Sequence, residues 1–310
     1  MSTPYFPLSL EETAKIVEIG EMVAWRDLCM TAPPEWASTF GLRAETVGTA
    51  CTFLLQGVDS PLFNRVLGLG IEELATEAEL EHILTLYKQA GISRFHLQVS
   101  PAALPSELPS WLKARNFCRQ GNWSILLRGT EPLPVLPTNF TVRTVDPEQA
   151  SGFATTLQQG YGTPGILNSW IVASVGRFGW RHYLVYAGEQ PVACGAMFIL
   201  GNVAWLGLAA TLPSHRRQGA QSALLTHRLR EGMHAGCRWF VTETVEDLPE
   251  HPNPSYHNMI RAGFQEVYLR PNYQKIVTTH APLEVRRGLL SRSRCKAGKT
   301  ECPCFRTVEI

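Results

Sequence analysis

Residues 202–235 read NVAWLGLAATLPSHRRQGAQSALLTHRLREGMHA, and the fold is decided there. Val203 to Thr211 is uncharged and rich in apolar residues, which reads as a buried strand. Ser214 to Gly219 is a short basic turn, and a helix runs from about Gly219 until Gly236 stops it. A helix start already presents unpaired N–H groups and the positive end of a dipole. Arg216 and Arg217 add charge there and Gln218 adds a donor, while Gly219 removes the Cβ that would hold a phosphate off the main chain. A strand, turn and helix of this kind suits an anion of pyrophosphate size.

The run Arg216-x-x-Gly219-Ala220-Gln221, with a strand and Pro213 before it and Ser222-Ala223-Leu224-Leu225 after it, resembles the acetyl-CoA loop of the GNAT-type N-acetyltransferases. Gln221 departs from that pattern, which commonly has Gly or Ala at this place; it crowds the loop but keeps its backbone donor. The block Pro252 to Phe264 is similar to the family's closing segment. The two blocks together cover about 140 residues in the family's order.

The resemblance implies acetyl-CoA as co-substrate. Arg216, Arg217, Gln218, Gly219, Ala220, Gln221 and Ser222 would grip the diphosphate. Backbone groups of Ala209 and Thr211 would pair with the pantetheine arm where the strand splays from its neighbour. A main-chain N–H near Leu208 or Ala209 would polarise the thioester carbonyl. Asn253, Ser255 and Asn258 would line the cofactor groove.

At 310 residues the chain is comfortable for two domains, each able to bury its own core. A net charge of +1 gives no basic field, so neither nucleic acid nor an anionic membrane is expected as the main partner. Cys29, Cys51, Cys118, Cys194 and Cys237 lie in apolar or helical surroundings without metal-like spacing, and read as reduced core residues of a cytoplasmic protein. His215, His251 and His257 lack matched ligand spacing, so no metal is expected. The first twenty residues lack the pattern of a secretory signal. Val192 to Ala210 has nearly the length of a membrane helix, but Gly201-Asn202 near its middle reads as the turn of a buried hairpin.

The first half reads as a worn copy of the second. Leu67-Gly68-Leu69 matches Leu206-Gly207-Leu208, Ala90-Gly91 matches Ala235-Gly236, and Asn116-Phe117 matches Gly263-Phe264. The first copy is shorter by about six residues between strand and helix end, where the phosphate loop should be. Glu72, Glu73, Glu77, Glu79 and Glu81 stand there instead and would repel a diphosphate. The expected architecture is therefore α+β: two GNAT-like domains, each a mixed, mostly antiparallel sheet flanked by helices. Their boundaries are a degenerate domain over 1–130, a proline-rich linker over 131–138, an acetyltransferase domain over 139–279, and a disordered tail over 280–310. Two unrelated α+β domains sharing a strand-helix-strand rhythm are the alternative.

The reaction implied is direct transfer of acetyl to an amine of a small molecule or protein, both reactants being held together. Glu243, at the end of the neighbouring strand, is the candidate base, or else a structural carboxylate of the following turn. Where many relatives keep a tyrosine acid stands Met259, leaving Tyr256 as the candidate. The glycine-rich loop from Gln159 offers Tyr161 and Trp170 as substrate contacts or as core cover. Met259 and the worn first half also leave open an acyl-CoA-binding regulatory module without turnover, or an interaction protein with a vestigial groove.

Overall fold

The uncharged window 192–210 folds as two paired strands, because Gly201 adopts φ 57° and turns the chain back at Asn202. The computed structural model describes residues 8–133 and 138–277. The first half runs α1 (Leu10–Thr31), α2 (Pro34–Phe40), β1 (Leu42–Val47), β2 (Ala50–Leu55), β3 (Arg65–Leu67), α3 (Glu77–Gln89), β4 (Arg94–Gln98), α4 (Leu108–Ala114) and β5 (Cys118–Arg128). The second runs β6 (Thr141–Thr144), α5 (Ala150–Tyr161), α6 (Asn168–Ser174), β7 (Trp180–Ala187), β8 (Gln190–Leu200), β9 (Val203–Thr211), α7 (Ala220–His234), β10 (Trp239–Val245), α8 (Pro254–Arg261) and β11 (Gln265–Ile276). Among the described residues no helix is long and apolar enough to cross a membrane.

These strands form one mixed sheet in the order β1-β2-β3-β4-β11-β5-β10-β9-β8-β7-β6. Its parallel pairs, β3 with β4 and β9 with β10, flank the β11–β5 contact symmetrically. The halves trade last strands: β11 of the second lies on β4 of the first, and β5 of the first lies on β10 of the second. No sequence pattern announced this exchange, since both partners are far away along the chain.

The internal match reappears in backbone conformation. Gly91 and Gly236 end their helices at φ 66° and 88°, and Asn116 and Gly263 take φ 59° and 89° before a buried phenylalanine. The deficit of the first copy is also visible. Leu67 to Glu77 replaces the longer Leu206 to Ala220, and α3 has 13 residues against 15 in α7. The start of α3 is closed by its own capping box, with the Glu79 carboxylate accepting from Thr76 N at 2.7 Å.

α1 begins at a capping box of Ser9 and Glu12 and packs across β9 and β10 of the other half. Gly20 permits this approach: a Cβ there would stand 3.3 Å from Val203 Cγ1 and 3.4 Å from Val241 Cγ2. One expectation needs correcting. Cys29, Cys51, Cys194 and Cys237 are buried, but Cys118 is exposed, because β5 begins in solvent and enters the core only from Ser124. Residues 134–137 of the linker and the tail from 278 onward, with Cys295, Cys302 and Cys304, lie outside the described residues.

Candidate active site

The site grows from a mismatch between two strands. β9 and β10 pair only from Val203↔Trp239 to Trp205↔Val241. Beyond that Leu208 takes φ 48°, the register with β8 slips between Cys194 and Ala196, and β10 stays with β5 as far as Val245↔Trp123. A wedge opens, and the main chain from Gly207 to Thr211 borders it. A groove enters from the α7 and α8 side and a cavity from the side of α5 and α6, both touching Ala209, Gln221 and Ser255.

On the groove side Gly219 holds φ 91° as the N-cap of α7 and supplies no side-chain cap, so the first-turn N–H groups keep their donors. Thr211, Arg216, Arg217, Gly219, Ala220, Gln221 and Ser222 line this groove. The Arg216 guanidinium donates to Gly160 O at 3.2 Å, and Gln221 Nε2 donates to Thr211 Oγ1 at 2.9 Å, which ties the loop to its strand. Ser255 and Asn258 form the opposite wall. Two expected groove residues have other work. Gln218 Nε2 donates to Ser214 O at 3.1 Å, and Asn253 caps α8 through Ser255 N at 2.9 Å while donating to Thr244 Oγ1; neither lines the groove.

Glu243 borders the cavity at the far side of the wedge, where its Oε2 accepts from Trp205 Nε1 at 2.9 Å. Burial is the main cause of a carboxyl pKa pushed up to about 8, and the nearby Glu21 pushes the same way against Arg65. Glu21 belongs to a sealed network. Arg270 Nη1 lies 2.8 Å from both Glu18 and Glu21, and Arg65 Nη2 lies 3.2 Å from Glu21. Gln98 accepts from both arginines, and Tyr268 donates to Glu18 at 2.7 Å. The elements supplying it, α1, β3, β4 and β11, come from both halves.

The cavity beside Glu243 is largely apolar, with several aromatic rings in its wall. Tyr161 and Trp170 border it, as do Trp25, Phe63 and Trp123 from the first half. Trp170 also serves the core: it is 1% exposed, and its indole donates to Leu28 O at 2.7 Å. Burial pushes the Tyr161 phenol far above its usual range. Met259 borders the cavity, whereas Tyr256 is half-buried against His257 and borders neither space. Trp25, Phe63, Trp123 and Arg228 escaped the sequence reading, because only the exchange of strands and the crossing of α1 bring the first three here.

The site thus combines a splayed parallel pair in a mixed sheet, an uncapped helix start at one end of the gap and a carboxyl at the other. Residues 159–257 match the model of the "Acetyltransferase (GNAT) family". The chain is similar in structure to a GCN5-related N-acetyltransferase from Kribbella flavida, with TM-score 0.53 and 18% identity, covering 81% of this chain and 95% of that one. A GCN5-related N-acetyltransferase from Sphaerobacter thermophilus gives TM-score 0.54 and 10% identity, covering 85% and 93%. A tandem GNAT protein from the clavulanic acid biosynthesis pathway gives 0.53 and 16%, covering 87% and 97%. No curated protein sequence matches the chain.

Proposed function

We propose that the chain is an N-acetyltransferase that moves acetyl from acetyl-CoA to an amine bound in the same complex. The observation that carries this reading is that the groove at Arg216 to Ser222 and the cavity at Glu243 meet at the wedge, where Ala209, Gln221 and Ser255 line both. The diphosphate would sit on the first turn of α7, with Arg216 and Arg217 beside it. The pantetheine arm would follow the open edge at Ala209 and Thr211, bringing the thioester to the gap. There the amine nitrogen attacks the acetyl carbon, the C–S bond breaks as the C–N bond forms, Glu243 takes the amine proton, and the thiolate leaves with coenzyme A. Holding the two reactants together supplies the larger part of the acceleration.

In the same reading, residues 139–279 carry the chemistry, and residues 1–130 are a GNAT-like half that holds no cofactor. The start of α3 already accommodates the Glu79 carboxylate, with Glu77 and Glu81 close by on Arg115 at 2.6 Å. A cytoplasmic location belongs to the proposal as well, since the described cysteines are free thiols. An acyl-CoA-binding module without turnover is the second reading, favoured by Met259 and by the placing of Tyr256 away from both spaces. A thiol pKa of about 8.5 makes the departing thiolate tolerable without an acid.

Titration calorimetry with acetyl-CoA and thiol release with an amine panel separate these readings. Arg216→Glu with Arg217→Glu is expected to weaken acetyl-CoA by a factor of about 10 to 100, the worth of a charge-assisted contact. Unchanged affinity in that double variant overturns the assignment of the loop. Tight binding with no thiol release for any amine selects the binding module.

A further inference from the structure

The cavity beside Glu243 is walled by both halves, and what the first half brings to it is hydrophobic throughout. Trp25 comes from α1, Leu62 and Phe63 from the loop between β2 and β3, and Trp123 from β5. Trp25, Phe63, Trp170 and Trp205 form one ring cluster: between centroids Trp25 meets Phe63 at 6.3 Å and Trp205 at 6.2 Å, and Phe63 meets Trp170 at 5.9 Å. Two of the indole N–H groups are already spent, on Glu243 and on Leu28 O. Leu62, Phe63 and Trp123 are only half-buried, so each keeps apolar surface that a ligand in the cavity can cover.

The charges of the same lining limit what can enter. Among its described residues Glu243 is the one carboxylate, while Arg228 is a cation held to Ala196 O and offers an ammonium nothing. One ammonium is therefore matched. A second would lose its water against hydrocarbon, a cost that contact with the ring faces repays only in part.

Resting on the acetyl-transfer reading above, we propose that the acceptor is a small monoamine on an apolar body, and that Phe63 and Trp123 of the first half set the size of that body. The nitrogen lies at Glu243, and the body lies against Trp25, Phe63 and Trp123. The half that holds no cofactor in that reading thereby selects the acceptor. A polyamine brings a charge without a carboxylate to meet it. A protein lysine brings peptide amides on a short stem, and these need hydrogen-bond partners that hydrocarbon rings lack.

The test is thiol release by the full-length protein at saturating acetyl-CoA, with n-alkylamines from ethylamine to hexylamine, ethanolamine, 1,4-diaminobutane and Nα-acetyl-lysinamide. Along the alkylamines kcat/KM is expected to rise by a factor of about 4 for each methylene, the worth of one covered CH₂, until the cavity is filled. Butylamine is expected to exceed 1,4-diaminobutane by a factor of about 10 to 100. Phe63→Trp should move the optimum to shorter amines, and Phe63→Ala and Trp123→Ala to longer ones, with acetyl-CoA affinity unchanged in calorimetry; melting temperatures identify a variant that has lost its fold. Rates that do not rise with chain length overturn the proposal. Ethanolamine, 1,4-diaminobutane or Nα-acetyl-lysinamide serving as well as butylamine overturns it too, as does a uniform loss across the series in the folded variants. If polar amines are acetylated and apolar ones ignored, acetyl transfer stands and this inference alone falls. If acetyl-CoA fails to bind in calorimetry, both fall.

Discussion

At Glu243 the environment sets the chemistry. With its pKa pushed up to about 8 by burial and by Glu21, the carboxyl is largely protonated at pH 6 and becomes a competent base as the pH rises through about 8. The acetylation rate is therefore expected to climb with pH through that range. Glu243→Gln should lower kcat by a factor of about 100 to 10,000 and abolish that limb, with acetyl-CoA affinity retained. A pH profile that keeps its limb in the variant removes Glu243 from the proton path. Gly219 matters for a different reason. Nothing stands within 4 Å of a Cβ built there, so the constraint is its φ of 91° and not space. Gly219→Ala should cost about 1 to 3 kcal/mol in urea unfolding, because a non-glycine residue is strained at that dihedral.

Among the elements, β5 and β11 decide whether either half is complete. β5 takes the place beside β10 that the second half leaves open, and β11 does the same beside β4. Without the exchange each half would show an unpaired, apolar strand edge, which invites aggregation. Residues 8–133 and 138–277 produced separately are expected to be insoluble or molten, and to recover cooperative unfolding only when produced together. Two soluble, separately cooperative halves would show that the exchange is dispensable. The same exchange brings Trp123 to the cavity, so neither half alone has the full cavity wall.

For the whole molecule, the sealed network of Glu18, Glu21, Arg65 and Arg270 couples stability to the site. Arg270→Met leaves two buried carboxylates without their main counter-ion and should cost about 3 to 5 kcal/mol of unfolding free energy, the usual loss when one partner of a buried pair is removed. The pH dependence has a definite sign. Folded Glu243 holds its proton up to about 8, whereas the unfolded side chain releases it near 4.5. Its contribution is thus fully present below about pH 4.5 and fades as the pH rises through 8. Urea unfolding at pH 6 and pH 9 should show a smaller decline in Glu243→Gln than in the natural chain. Equal declines would mean that Glu243 is not the group responsible.

Local patterns determined much of this protein. Gly-Asn at 201–202 made a hairpin of an uncharged window, the strands Gln190–Leu200 and Val203–Thr211 ended where their turn residues placed them, and the basic turn before Gly219 marked the start of α7. These features rest on neighbours in the chain, where dihedral preference and hydrophobic period act. Only the tertiary structure decided the exchange of β5 and β11, the crossing of α1 over β9 and β10 at Gly20, and the meeting of Trp25, Trp123, Arg228 and Glu243 around one cavity. Those depend on contacts between segments far apart along the chain, and on burial that pushes the Glu243 carboxyl toward its protonated form. A sequence names such groups, but the packed chain sets what surrounds them.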